Sequence, residues 1–121
     1  MSSEQFQITF KVLKTALKKH EKNLTIKTNT NDVYNLYAGY SEKYKRDIYF
    51  GGVEIKKNYV SFHLMPVYIN PNLLNDMSPE LKKRMQGKSC FNFKTIDKNS
   101  LKELTALTKK GFDYYKYEGM L

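Results

Sequence analysis

The chain has 121 residues, of which 40% are hydrophobic and 14% aromatic, and these proportions indicate a folded domain and exclude a disordered chain. It carries 21 basic and 12 acidic residues, and the resulting net charge of +9 favours anionic ligands or polyanions as partners. A single cysteine excludes an internal disulfide, no apolar run is long enough to span a membrane, and the first residues do not resemble a secretory signal. We therefore predict a soluble cytoplasmic protein with a single domain, residues 1–121, and no membrane partner.

The N-terminal segment predicts a helix followed by a β-hairpin. Residues 2–20 place Phe6, Phe10, Leu13 and Leu17 on one helical face, with lysines mainly on the others. Residues 24–28 and 33–38 contain β-formers and flank a run of turn-forming residues, so we expect two paired strands there. Residues 39–45 are charged and indicate an exposed connection that carries tyrosine rings.

The central segment predicts a second hairpin with strands at 48–56 and 59–65. Lys57-Asn58 suits a two-residue turn, because Asn tolerates the left-handed conformation that such turns need. Side chains alternate between the two faces of a strand. One face is therefore expected to hold the core set, and the other a mixed, more polar set. The core set is Tyr49, Val53, Ile55, Val60, Phe62 and Leu64, and the mixed set begins with Phe50, Gly52 and Glu54.

The C-terminal half predicts two short helices at 71–76 and 79–85, a strand at 90–93 and a long closing helix. Either Ser100 or Asp97 suits the cap of that last helix. Gly111 interrupts its apolar stripe and indicates a close approach to the sheet. The whole pattern predicts an α+β fold in which an antiparallel sheet of four to five strands has the N- and C-terminal helices packed on one face.

The uncovered face of that sheet is the candidate binding site. It is expected to combine aromatic walls with a few polar groups, as ligand pockets do, and to have basic residues at its rim for an anion. The candidate ligand-binding residues are Phe50, Glu54, Tyr59, Ser61, His63, Met65, Arg84, Lys88, Cys90 and Asn92.

The residues of this face suggest two kinds of chemistry, thiol chemistry and metal binding. Cys90 and His63 would form a nucleophile–base pair if their strands adjoin, with Asn92 or Glu54 as the orienting group. No spacing of His, Cys, Asp or Glu resembles a structural metal site, and Gly87-Lys88-Ser89 lacks the preceding glycine and the strand-to-helix order of a phosphate-binding loop. We assign no catalytic residue, no metal ligand and no cofactor.

Three segments, residues 49–53 (YFGGV), 57–68 (KNYVSFHLMPVY) and 81–93 (LKKRMQGKSCFNF), resemble the YdhG-like family of bacterial domains of unknown function, and the region of Gly111 is similar too. The resemblance covers roughly residues 45–115. It implies a small intracellular α+β protein, and it implies iron as a partner because some members are described as frataxin-like iron chaperones. Frataxin-type iron handling uses an acidic ridge, whereas the first helix here has Glu4 followed by lysines.

These observations favour a non-enzymatic binding or chaperone-like module, monomeric or homodimeric, that handles a small molecule, an anion or iron on the exposed sheet face. Nucleic-acid or polyanion binding through the lysine-rich surface is the alternative. Only Arg46 and Arg84 could read base edges as arginine usually does. A Cys-dependent enzyme is the remaining possibility.

Overall fold

The computed structural model describes residues 2–120, with side chains from residue 4 onward. Ten elements and two 3₁₀ turns (Glu21–Asn23 and Pro71–Leu74) follow one another along the chain. The helices are α1 (Ser2–Lys18), α2 (Met65–Ile69), α3 (Pro79–Lys82) and α4 (Lys98–Tyr117). The strands are β1 (Thr25–Asn29), β2 (Val33–Ser41), β3 (Arg46–Ile55), β4 (Val60–Leu64), β5 (Met85–Gln86) and β6 (Cys90–Phe93).

The six strands form one antiparallel sheet in the order β1-β2-β3-β4-β6-β5. The α+β fold is therefore confirmed, but the expected count of four to five strands is wrong. The additional strand is β5, which sequence reasoning placed at the end of a helix, and its two residues are held by pairing with β6. Residues 39–41, expected in a connection, continue β2.

The turn between β3 and β4 occurs where it was predicted, because the Lys56 N–H donates to the Tyr59 carbonyl over 2.8 Å. The prediction that Asn58 adopts a left-handed conformation in this turn is wrong. Lys45 is the non-glycine residue with a positive φ within residues 2–120, so Asn58 does not use the left-handed conformation.

A bulge in β3 decides which residues face the helices. Between Leu36 and Tyr37 on β2, the paired residue on β3 moves from Gly51 to Tyr49, so Phe50 is the additional residue. Such a residue shifts the alternation of side chains by one position. Phe50 therefore joins the core, fully buried, while Tyr49 turns to the opposite face. The prediction that Tyr49 faces the core and Phe50 the solvent is wrong for this reason.

Helices α1 and α4 cover the apolar face of the sheet. Leu17 of α1 lies directly over Gly51, and the Tyr115 ring of α4 packs edge-on against Phe50 at 5.5 Å between centroids. The predicted alternation in β4 is confirmed, since Val60, Phe62 and Leu64 are fully buried. The core is completed by Phe91 and Phe93 of β6 and by the helical stripes, of which Leu13, Leu17, Leu104, Leu107 and Tyr115 are members.

Helix α4 begins at the earlier of the two predicted caps. The Asp97 carboxylate accepts the Ser100 N–H over 2.7 Å, and these bonds lower the pKa of Asp97. Glu103 instead accepts both the N–H and the hydroxyl of Ser78, each over 2.6 Å, and so ties α3 to α4. The predicted close approach at Gly111 is real, but the neighbour is Pro66 of α2: an added Cβ would lie 2.9 Å from it.

Candidate functional site

The face of the sheet opposite α1 and α4 carries the polar residues of the central strands. Cross-strand pairing places Gly52 beside His63, Glu54 beside Ser61, and His63 in turn beside Cys90. Because directly paired residues share a face, Tyr49, His63, Cys90 and Asn92 all belong to this open face.

A cleft of about 460 Å³ lies at one end of the open face. Such a volume is within the range of small-molecule pockets. The tyrosine rings of Tyr37 and Tyr49 meet edge-to-face at 5.2 Å and form one wall. Tyr44 and Tyr68 also line the cleft, and these residues are 42% and 52% exposed. Met65 and Met120 add a flexible apolar lining.

A second cavity of about 420 Å³ lies beside the first. The two share Tyr37, Tyr49 and Met65, so we treat them as one tyrosine cleft. Glu54 and His63 lie in the second part, and Arg46 lies in the first. The cleft thus runs from a cationic end to an imidazole–carboxylate end.

Arg46 has no ion pair within the part of the chain that the structure describes. The adjacent Asp47 is already engaged by Lys27, 3.2 Å away. At the other end, Glu54 is engaged by Lys56, also at 3.2 Å. The guanidinium is therefore the charged group of the cleft that an incoming anion meets without displacing a protein partner.

The hydrogen bond between Tyr49 and Asn35, two residues that line the tyrosine cleft, depends on Gly52. The Tyr49 hydroxyl donates to Asn35 Oδ1 over 3.2 Å directly above the Gly52 backbone. A Cβ at this position would lie 2.7 Å from the Tyr49 hydroxyl, so any side chain would displace this bond. Burial raises the pKa of Tyr49, and the nearby Tyr37 and Cys90 raise it further, so the phenol is a neutral donor at physiological pH.

His63 and Cys90, the residues of the predicted nucleophile–base pair, lie on adjoining strands and are in contact. Cys90 Sγ lies 3.1 Å from His63 Nδ1, and Cys90 is half-buried. Burial lowers the pKa of His63; Lys56 lowers it further, and Glu54 opposes the effect. The imidazole is therefore neutral at pH 7 and has a lone pair that can accept the thiol proton.

Asn92 is one of the two residues predicted to orient this pair. Its Oδ1 is buried and has no hydrogen-bond partner among residues 4–120. Its direct partner across the strands is Ser61 and not His63. Glu54 acts on His63 through its charge, without a hydrogen bond between them in the described residues. The structure thus gives a dyad and no orienting hydrogen bond.

The other predicted site residues divide into three groups. Glu54, His63 and Met65 line the cleft, and Cys90 touches His63. Phe50 lies in the core, and Ser61, although it faces the open side, is only 3% exposed. Tyr59, Arg84 and Lys88 lie outside the cleft; the Arg84 guanidinium packs over the Phe93 ring at 5.9 Å.

Sequence reasoning missed the residues that make most of the cleft wall. These are Asn35, Tyr37, Tyr44, Arg46, Tyr49 and Tyr68. Tyr44 belongs to the predicted exposed connection and Tyr37 to a predicted strand, but the strand order that brings the two together cannot be predicted from one sequence. Tyr49 was assigned to the core because the bulge at Phe50 has no local sequence signal.

Within residues 4–120 there is no group of three or more His, Cys, Asp or Glu side chains placed to hold a metal ion. In the same region, no helix has the length and apolarity needed to cross a membrane.

No family model, curated protein or solved structure matches the chain. The resemblance to the YdhG-like family therefore stays a prediction.

Proposed function

We propose that the protein is a non-enzymatic binding module that holds a planar aromatic anion in the tyrosine cleft. The observation that supports this most directly is the lining that the two cavities share, Tyr37, Tyr49 and Met65, with Arg46 in the first cavity. Exposed aromatic rings offer stacking surfaces at low entropic cost. Arginine binds carboxylates and phosphates through two parallel hydrogen bonds.

The proposed ligand places its ring against the Tyr37–Tyr49 wall and its anionic group on Arg46. The polar groups of Asn35, Glu54 and His63 then face the opposite edge of the ring. A neutral His63 can donate a hydrogen bond there, which suits a ligand with an acceptor on its far side, whereas the Tyr49 proton is already donated to Asn35 Oδ1.

The experiment uses 2-naphthoate as the probe and naphthalene-2-methanol as its uncharged counterpart, with binding followed by chemical shifts of amide and methionine methyl groups. We expect naphthoate to shift the signals of Tyr37, Tyr49 and Met65. Arg46→Gln should weaken naphthoate binding by about tenfold, the effect of losing a charge-assisted hydrogen bond, and should leave the alcohol unaffected.

Arg84→Gln is the matched control, because it removes the same charge outside the cleft. If the two arginine variants weaken naphthoate equally, or if the shifted signals lie elsewhere, the proposal is wrong. Tyr37→Leu tests the stacking surface separately and should weaken both probes.

A second candidate function, supported by the 3.1 Å contact between Cys90 and His63, is thiol exchange with a disulfide ligand. In that reaction the thiol proton passes to His63 and the sulfur attacks the ligand disulfide. The old S–S bond breaks as the mixed disulfide forms, and the leaving thiolate takes the proton from His63. Oxidised glutathione should then add one glutathione to Cys90, detected by intact mass, faster than it adds to the unfolded chain; equal rates would exclude this function.

A further inference from the structure

A second concave surface lies on the helical side of the protein, between the end of α1 and the first three turns of α4. It is a groove of about 560 Å³. Lys19 and His20 line it from the end of α1, and Lys98, Leu101, Lys102 and Lys109 line it from α4. None of the residues that line it is acidic.

The lysines of this groove are largely uncompensated. Lys19, Lys98 and Lys102 are exposed and have no ion pair within residues 4–120. Lys109 shares its charge with Asp113, 2.9 Å away. Several ammonium groups held side by side repel one another, and a bound polyanion would relieve that repulsion.

We propose that this groove binds the phosphate backbone of duplex nucleic acid, without reading its sequence. Lys98 and Lys109 are separated by about 16 Å along the helix axis. That distance corresponds to roughly five successive phosphates of one DNA strand. Lysine is a point charge suited to phosphate, and the groove contains no arginine, Asn or Gln to read base edges.

Two alternatives fit the groove less well. A membrane surface would require exposed apolar side chains that enter the lipid beside the lysines. The exposed large apolar residues of the described chain lie elsewhere, at positions such as Ile8, Tyr68 and Tyr117. Bases of a single strand would require a free aromatic ring, but the ring of His20 is already stacked on Phe112 at 4.5 Å.

The test compares two triple variants of equal net charge. K19Q/K98Q/K102Q removes the groove charges, and K57Q/K83Q/K88Q removes three exposed lysines outside the groove. Binding of a short mixed-sequence DNA duplex is followed by fluorescence anisotropy while salt is raised from about 50 to about 200 mM. Circular dichroism confirms that both variants are folded.

The groove variant should bind DNA more weakly than the control variant. Its slope of log affinity against log salt should be shallower than that of the unmodified protein by about 2.7, because three phosphate contacts are lost and each contributes about 0.9. A scrambled duplex should bind as tightly as the first. Equal losses in the two variants, no binding by the unmodified protein at low salt, or binding to vesicles of phosphatidylserine and phosphatidylcholine in preference to DNA would each overturn the proposal. The site lies apart from the tyrosine cleft, so Arg46→Gln should leave DNA binding unchanged whichever way the naphthoate experiment turns out.

Discussion

His63 Nδ1 lies 3.1 Å from Cys90 Sγ because the two residues are direct partners across β4 and β6. The backbone pairing fixes their Cβ atoms close together, so this contact does not depend on a flexible loop. A neutral imidazole placed this close should act as a base toward the thiol.

We therefore predict that His63→Gln slows alkylation of Cys90 by iodoacetamide at neutral pH by about tenfold or more, since a positioned base contributes at least that much in enzymes. The rate is measured by intact mass against time. His20→Gln is the matched control, because this other histidine packs against Phe112 on the helical side. Equal rates in wild type and His63→Gln would show that the contact is packing alone.

The stability of the fold should fall as the pH is lowered through 6.5. Burial lowers the pKa of both His20 and His63 from the ordinary value of 6.5. At pH values between the folded-state and the unfolded-state pKa of these histidines, the unfolded chain holds more protons than the folded chain. The free energy of unfolding therefore rises with pH in that window, and the contribution of the two histidines to stability is lost as the pH falls through it. Urea unfolding of wild type and H20Q/H63Q at several pH values checks this. The double variant should show a flatter dependence between about pH 7 and about pH 5.5, and an unchanged dependence would contradict the prediction.

Gly52→Ala should break the hydrogen bond between Tyr49 and Asn35 in the tyrosine cleft. The new methyl group would meet the Tyr49 hydroxyl and the Tyr34 carbonyl, and relieving that overlap should destabilise the fold by about 1–3 kcal/mol. The pair of ¹H–¹⁵N resonances of the Asn35 side-chain amide should shift as its bond with Tyr49 is lost. Tyr49→Phe is the companion variant, because it removes the same bond without adding volume. If Gly52→Ala leaves both stability and these resonances unchanged, the close packing at Gly52 is not what shapes the cleft.

Tyr34→Phe should destabilise the protein by about 1.5–3 kcal/mol, as loss of a hydrogen bond to a charged group does. The Tyr34 ring is fully buried, and its hydroxyl donates to Glu21 Oε2 over 2.6 Å. Burial raises the pKa of Tyr34, and the bond to Glu21 raises it further. Thermal or urea unfolding measures the loss. Tyr117→Phe is the control, since Tyr117 is 86% exposed. A comparable loss of stability in this control would show that the hydrogen bond to Glu21 does not explain the effect of Tyr34→Phe.

Local patterns predicted most of the fold. The apolar stripe of α1 and the period of two in β4 are strong signals because each aligns with one buried face, and both are confirmed. Ser78 caps α3 as its position before Pro79 indicates. Strand β5 was missed because two residues carry no period, and it exists through its partner β6.

The site was only half predictable. Glu54, His63 and Cys90 follow from alternation in strands whose direction was correctly identified. Arg46, Tyr37 and Tyr68 come to the cleft from three different elements, so their approach depends on strand order and on the placement of α2. No spacing within a single segment contains that information.

The additional residue at Phe50 also makes β3 sensitive to length in a way that composition would not suggest. The pairing returns to its earlier register at Gly39 and Ile48, because Ala38 is an additional residue on β2. Removing one residue between Arg46 and Phe50 would leave Ala38 without this counterpart, and along the first half of β3 it would exchange the side chains that face the helices with those that face the cleft. A bulky ring would then point into water, and the phenol that now borders the ligand space would be forced beneath the helices. Shortening this strand by one codon should therefore harm the protein more than most single substitutions in it.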